Sequence, residues 1–330
     1  MRCPDVSGGV TPSSLTVNQP SYDFEGSSPS SPTSLRSLRE LRLGKPARLS
    51  RGERVKACLA EALAKAGCQP QDRRPDPMSI YQAWFTSASL RFRIRALKAR
   101  FRDQKAEFAV IGQHIRSGDI VCDIGANKGS FIYWLSSWVR HGRVVAFEPQ
   151  PELAHALTDV CKAIQLHNVK VEAKAVYSHS GDRDLYLPIG HQPGASLHRK
   201  AVEAEGFATL SVPIVSLDDY FAENDKVALL KIDVEGAELE VLKGAARILR
   251  QHAPLLVFEC ENRHLGPRNV QDIFSYLGEF GYRGRFIFQQ RLFPISEFDA
   301  AVHQRQDGEW FWKHKDYCNN FVFDRPCDRP

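Results

Sequence analysis

From position 118 onward the chain alternates short apolar runs with helix-period segments, and the first such unit restricts the fold most. Residues 120–129 read Ile-Val-Cys-Asp-Ile-Gly-Ala-Asn-Lys-Gly. The apolar run stops at Asp123, and a turn bearing Gly125, Asn127 and Gly129 leads into a helical pattern over 130–139. A second apolar run, 143–147, ends in Glu148. Further strands are expected near 119–124, 143–147, 169–176, 227–233 and 254–260, and helices near 129–139, 151–165, 237–250 and 269–280. This alternation predicts an α/β fold with a mostly parallel sheet covered by helices on both faces. Two stretches depart from it. Segments 184–188 and 210–215 are strand-like without a helix between them, and the aromatic runs 285–289 and 320–323 predict a terminal antiparallel hairpin.

A strand–turn–helix–strand unit with a carboxylate at the end of its second strand suits a nucleoside. Glycines let the backbone approach the ligand, and the acid receives ribose hydroxyls. The spacing selects among ligands. A dinucleotide fingerprint is G-x-G-x-x-G, with pyrophosphate at the helix N-terminus. Here the turn is D-x-G-x-N-x-G, one residue tighter, with Asn127 where a left-handed backbone is tolerated. An acid before the turn favours a ligand without phosphates but with an amine and a positive centre, as in S-adenosyl-L-methionine (AdoMet). A nicotinamide-dependent dehydrogenase is disfavoured by the same spacing. A plain structural turn would look similar, and Glu148 in register weighs against it.

Ligands of open α/β sheets bind at the carboxyl ends of the strands, so those ends hold the candidate functional residues. They are Asp123 with its turn, Glu148, the stretch Ala175–His179, then Asp233-Val-Glu235-Gly236, and finally Glu259, Glu261 and His264. Asp233 ends an apolar run, which favours a functional role. Glu235 is equally well explained as a cap favouring the positive end of the following helix. Glu238 is expected at the surface or paired with Lys243. Glu259 and Glu261 are expected on opposite sides of their strand end, so no metal site is indicated. His179, His191, His198 and His264 lie in flanking loops.

Lys231-Ile-Asp-Val-Glu-Gly-Ala-Glu-Leu-Glu-Val-Leu-Lys-Gly-Ala245 follows Val121-Cys-Asp-Ile-Gly-Ala-Asn-Lys-Gly129 and Ala146-Phe-Glu-Pro149. Together with the segment 212–220, and with Ala175-Val176 followed by Gly181, this series resembles the FkbM family of AdoMet-dependent methyltransferases over about residues 110–260. The resemblance implies a Rossmann-like class I methyltransferase fold with a seven-stranded sheet. It implies AdoMet as methyl donor, and usually O-methylation of sugars or secondary metabolites. Carried over residue by residue, it assigns Asp123, Gly125, Asn127, Gly129, Glu148, Ala175 and Asp233 to the cofactor. Asp233, Glu235 and His264 become the catalytic candidates, with Asp233 first as base or hydroxyl orienter. The loop 189–199 matches the family in position more than in sequence, and acceptor choice is expected there.

Residues 1–35 are rich in Ser, Pro, Gly and Thr and cannot bury enough surface to offset ordering entropy. A disordered or weakly helical basic tail is expected over 1–50, a helical extension over 51–110, and the catalytic domain over 111–330. The formal net charge of +5 is uneven, with the excess of Lys and Arg confined to the first third. Within that third, residues 90–101 interleave five basic residues with apolar ones. They are expected to pack as a solvated helix on the domain rather than to bind nucleic acid or lipid. An RNA methyltransferase using this basic region and a non-catalytic AdoMet-binding protein stay as alternatives. The lack of a Pro-Pro-Tyr-type element after the fourth strand argues against amino methylation. Eight cysteines occur without a C-x-x-C pair, which argues for reduced thiols rather than zinc or redox chemistry. No basic-then-apolar leader and no run of about 18 apolar residues occurs. A cytoplasmic location without a transmembrane segment is therefore expected, with a small-molecule or saccharide partner and no metal.

Overall fold

A computed structural model describes residues 87–188, 194–199 and 206–326. The expected tail over 1–50, the helix at 51–66 and the first part of the 51–110 extension lie outside them, as do His191 and the start of the 189–199 loop. The described residues open with α1 (Ser87–Lys98), a π-helical turn (Ala99–Asp103) and α2 (Lys105–His114). Then come β1 (Ile120–Ile124), α3 (Ile132–Trp138), β2 (Arg143–Phe147), α4 (Pro151–Ala163) and β3 (Val169–Glu172). A smaller region follows: β4 (Ala175–Val176), β5 (Gly181–Pro188), β6 (Phe207–Val215) and the short α5 (Leu217–Tyr220). The second half holds β7 (Val227–Ile232), α6 (Glu238–Lys243), α7 (Ala246–Gln251), β8 (Leu255–Glu259) and α8 (Val270–Glu279). It ends with β9 (Arg283–Phe288), β10 (Arg291–Pro294), α9 (Ala300–His303) and β11 (Asn320–Asp324).

The main sheet has the order β10-β9-β11-β8-β7-β1-β2-β3. Strands β3, β2, β1, β7 and β8 are parallel, while β11 runs antiparallel to both β8 and β9. The parallel part is the doubly wound order, whose chain direction switches between β1 and β7, where such sheets bind ligands. The expected Rossmann-like architecture is therefore present. The sheet has eight strands rather than seven, because β10 folds back on β9 as an edge hairpin. The two aromatic runs do pair, yet not as a simple hairpin, since β11 slots between β8 and β9.

Two expected elements are broken. The strand at 169–176 divides, with β3 in the main sheet and β4 in a three-stranded sheet of order β4-β6-β5. The helix at 237–250 divides at Gly244, where a Cβ would stand 2.0 Å from the Tyr177 carbonyl oxygen. Asp218 caps the second piece by accepting from the backbone N–H groups of Arg247 and Ile248.

Both faces of the sheet are buried. Ile124, Phe147, Leu230, Ile232 and Phe258 pack one side with α6, α7 and α8. Val121, Val144, Leu229 and Val257 pack the other with α2 and α3. The basic segment at 90–101 is helical and uses its apolar face as core, burying Phe92 and Ala96. Arg95 donates to the Lys128 carbonyl at 2.9 Å, and the Arg100 guanidinium lies 4.0 Å over Trp134. No helix of the described residues is long and apolar enough to cross a membrane.

Candidate active site

The turn after β1 is held open by two backbone demands. Gly125 has φ +79, and a Cβ there would lie 1.8 Å from the Asp233 carbonyl oxygen. The β1 turn and the end of β7 are thus in backbone contact, joined also by Asp233 N donating to Ile124 O at 2.9 Å. Asn127 takes φ 47, a left-handed conformation that Asn tolerates better than most side chains. Gly129, with φ +76, abuts Phe92 and Leu157 and serves packing.

Glu148 locks the turn to the end of β2. Its Oε2 accepts from Asn127 N at 2.7 Å and its Oε1 from Gln150 N at 2.9 Å. Burial raises its pKa, the two backbone donors pull it down, and Asp123 and Asp233 push it up again, leaving it at about 7. Each carboxylate oxygen has a further lone pair, so both can accept a second donor from the cleft.

Around this point lies a cleft of about 220 Å³, lined among others by Gly125, Asn127, Glu148, Ala175, Asp233 and Glu235. Six of the sequence-derived site residues thus meet at one wall. Asp123, Gly129 and His264 stand behind it. Asp123 is buried with its Oδ2 lacking a hydrogen-bond partner among the described residues. Burial raises its pKa, Lys231 lowers it and Asp233 raises it, with the balance at about 6. His264 reaches the cleft through Glu235, with Nδ1 2.6 Å from Oε2. Burial lowers the ring's pKa, but the Glu235 hydrogen bond and charge more than offset this and raise it. His179 is exposed beside Ser178. Of the 189–199 loop, Gly194, Ala195 and Leu197 line the cleft, and Ser196 donates to the Glu235 carbonyl at 2.7 Å.

Glu235 and Gly236 are both left-handed, with φ 50 and 101. The Glu235 side chain does not cap the next helix. Glu238 accepts from Gly236 N at 2.9 Å and is buried, not surface-lying. Lys243 pairs with Glu240 instead, at 3.1 Å. The expectation for Glu238 fails because α6 starts at that residue, and its carboxylate folds back onto the Gly236 amide just ahead of the helix. The expectation that Glu259 and Glu261 diverge also fails. Residues two apart on a strand share a face, and Asn319 Nδ2 meets Glu259 at 2.6 Å and Glu261 at 3.4 Å. No group of three or more His, Cys, Asp or Glu arranged to hold a metal occurs among the described residues.

Lys231 and Lys174 are not among the strand-end candidates of the sequence, whereas Glu259 is. Lys174 and Glu259 line the cleft. Lys231 is buried beneath it, paired in register with Asp123, with Nζ 3.1 Å from Asp233 Oδ2 and 5.0 Å from the Phe131 ring centre. The signal was present: a lysine inside an apolar run needs a buried counter-charge. Asp123, Glu148, Asp233 and Glu259 thus converge on a site in which Lys231 is the buried cation. The site is built to receive positive charge and hydrogen-bond donors.

Comparison with known proteins agrees with this reading. Residues 123–283 match the family model described as the methyltransferase FkbM domain. The chain is 28% identical over 204 residues to the hexuronic acid methyltransferase AglP of Haloferax volcanii, covering 60% of this chain and 78% of that one. It is 30% identical over 162 residues to methyltransferase sdnD of Sordaria araneosa, and 31% over 165 residues to the 31-O-demethyl-FK506 methyltransferase FkbM of Streptomyces tacrolimicus. In both cases 40% of this chain and 62% of the relative are covered, so the chain spans just under two thirds of those two proteins.

Proposed function

We propose, for a chain whose residues 123–283 belong to the methyltransferase FkbM family, that it is an AdoMet-dependent O-methyltransferase acting on a sugar, glycan or secondary metabolite. The observation that carries this reading is Glu148. Its carboxylate is fixed by Asn127 N and Gln150 N beside a phosphate-unfriendly acidic wall, in the place a ribose diol would occupy. The residues fit the cofactor. Gly125 and Asn127 allow close backbone approach, the acids at the strand ends match a sulfonium and an ammonium, and Glu148 matches the ribose. The name of one relative, a 31-O-demethyl-FK506 methyltransferase, supports an oxygen acceptor, and that of another, a hexuronic acid methyltransferase, supports a saccharide.

When bound, AdoMet would supply an electrophilic methyl on a sulfonium, whose transfer to an acceptor oxygen would leave S-adenosylhomocysteine as the thioether and release the hydroxyl proton. The chain's own work is alignment, worth up to about 7–11 kcal/mol when geometry is well fixed, and removal of that proton, worth on the order of 10²–10⁴-fold. Lys231 occupies one oxygen of Asp233. The other is then available to orient an amine or a hydroxyl. His264 donates Nδ1–H to Glu235, which fixes the tautomer and couples the ring to a carboxylate on the cleft wall, so that the pair together can take up the acceptor's proton.

The basic segment at 90–101 spends Arg95 and Arg100 on the domain itself, which favours the metabolite or glycan reading over RNA. The test is incubation of the purified protein with methyl-labelled AdoMet and a panel of hexuronates, neutral oligosaccharides, hydroxylated macrolides and RNA, with calorimetric titration of AdoMet alongside. Label on a saccharide or macrolide hydroxyl supports the proposal. Label on RNA alone, or no AdoMet binding, refutes it.

A further inference from the structure

Five large apolar side chains are exposed among the described residues, and two of them, Trp310 and Trp312, sit together. Their ring centres are 5.2 Å apart and the rings are inclined at 61°. Trp310 holds a left-handed backbone, φ 67, unusual for so bulky a side chain. The pair is not a loose surface feature. Phe311 between them packs on Tyr317, whose hydroxyl donates to Glu261 at 2.6 Å. Arg263 makes two hydrogen bonds to the same carboxylate, at 2.6 and 3.1 Å, and its guanidinium carbon lies 4.9 Å from the Trp312 ring centre.

This loop stands at the carboxyl edge of the main sheet, because Asn320 of β11 is in register with Glu259, the last residue of β8. It therefore opens on the same edge as the cleft. Arg263 is the chain neighbour of His264, which bonds Glu235 on the cleft wall. A chain of contacts thus runs from the cleft through Glu235, His264 and Arg263 to Trp312.

We propose that Trp310 and Trp312 form a stacking platform for a second sugar ring of the acceptor, so that the protein methylates a glycan of two or more rings in preference to a monosaccharide. This rests on the saccharide form of the function proposed above. A sugar ring has an apolar C–H face and a hydroxyl rim. Half-exposed indoles edged by charged groups match both, as amphipathic rings do at wet interfaces. Lys313 lies 4.0 Å over the Trp310 ring, and Glu309 and Lys315 flank the pair as exposed charges. A macrolide would need an enclosed apolar groove, which these exposed rings do not provide.

The test is calorimetric titration of the protein, loaded with S-adenosylhomocysteine, with a hexuronate monosaccharide and the corresponding trisaccharide. The wild type is expected to bind the trisaccharide at least about tenfold more tightly, and Trp312→Ala to abolish that preference. Trp312→Tyr should restore most of it, and an unchanged melting temperature excludes misfolding. Equal affinity for the two saccharides in the wild type, or a preference that survives Trp312→Ala, overturns the platform. The function reading fails separately. A trisaccharide that binds through Trp312 but receives no label from AdoMet leaves the platform standing and removes methyl transfer. Label transferred without dependence on Trp312 removes the platform alone.

Discussion

Glu235 Oε2 lies 2.6 Å from His264 Nδ1, and Glu235 reaches that position only by taking a left-handed backbone, φ 50. Such a conformation costs on the order of 1–3 kcal/mol. If the strain is retained to aim the carboxylate at the ring, His264→Ala should lower kcat by about 10²–10⁴-fold with little change in AdoMet affinity. Glu235→Gln should move the ascending limb of the pH–kcat profile to lower pH, because it removes the partner that raises the His264 pKa. A profile unmoved by Glu235→Gln would remove the pair from proton transfer.

Asp233 should behave differently. Asp233→Ala is expected to abolish turnover and weaken AdoMet binding, and to lower the melting temperature less than loss of Lys231 does, since Asp233 is about a third exposed and Asp123 still faces the lysine. Full activity of that variant on the true acceptor would contradict the assignment.

The cation beneath the cleft offers a stability test. Lys231→Met leaves Asp123 and Asp233 without their buried counter-charge, and breaking a buried pair from one side costs about 3–5 kcal/mol. Burial lowers the pKa of Lys231, but the charges of Asp233, Asp123 and Glu259 raise it on balance, so those acids depend on it in turn. The loss measured by urea denaturation should be larger at pH 8 than at pH 5.5, where protonation relieves the uncompensated acids. A pH-independent loss would indicate that only packing was disturbed.

Buried carboxyls set the pH dependence of the free protein. Burial raises Glu107, Glu148 and Glu238 to about 7 and Asp123 to about 6. Between the ordinary carboxylate range and these values the folded state binds more protons than the unfolded state, so stability falls as pH rises. His264, with its pKa raised, acts in the same direction. Its contribution is complete below about 6.5 and is lost as pH climbs through its folded value. Glu240 opposes them only in acid. Burial raises it, but Ser178, Arg268 and Lys243 hold it at about 2, and its contribution is lost as pH falls through the carboxylate range. Thermal melting without ligand should therefore peak near pH 5 and decline toward pH 8. AdoMet binding should release protons, measurable in buffers of different ionisation enthalpy. A flat melting profile over pH 5–8 would show that these acids are solvated in solution.

Gly125→Ala places a methyl 1.8 Å from a backbone oxygen at a left-handed φ. It should cost about 2–5 kcal/mol in stability and abolish AdoMet binding. Gly118→Ala, with nothing within 4 Å of the added carbon, is the matched control and should stay within about 0.5 kcal/mol.

Much of the cleft could be traced in the sequence because strand ends are marked by where apolar runs stop. Asp123, Glu148 and Asp233 each end one, and the sheet's switch point gathers them. Partners that come from across the fold left no such mark. The counter-charge that Lys231 requires is not identified until β1 supplies Asp123 in register, and the Asn319 amide that holds Glu259 comes from beside β11. The division at 173–174 has no local mark, because the stretch 169–176 reads as one alternating strand and nothing in it says that its halves enter different sheets. Glu238 was misjudged because helix periodicity locates a helix to within a turn, and one residue decides whether a glutamate caps or faces solvent. The aromatic loop at 310–312 carries no pattern of its own, and its position depends wholly on β11.

Strand β11 is interior to the sheet although it follows every other described strand in the sequence. Until residues 320–324 emerge, β8 and β9 both present open edges, and the Asn319–Glu259 contact beside the cleft does not exist. The sheet therefore closes through contacts far apart in sequence, which slow folding and prolong exposure of strand edges. The Asn319–Glu259 contact beside the cleft and the placement of the aromatic loop thus arise together, when β11 inserts between β8 and β9.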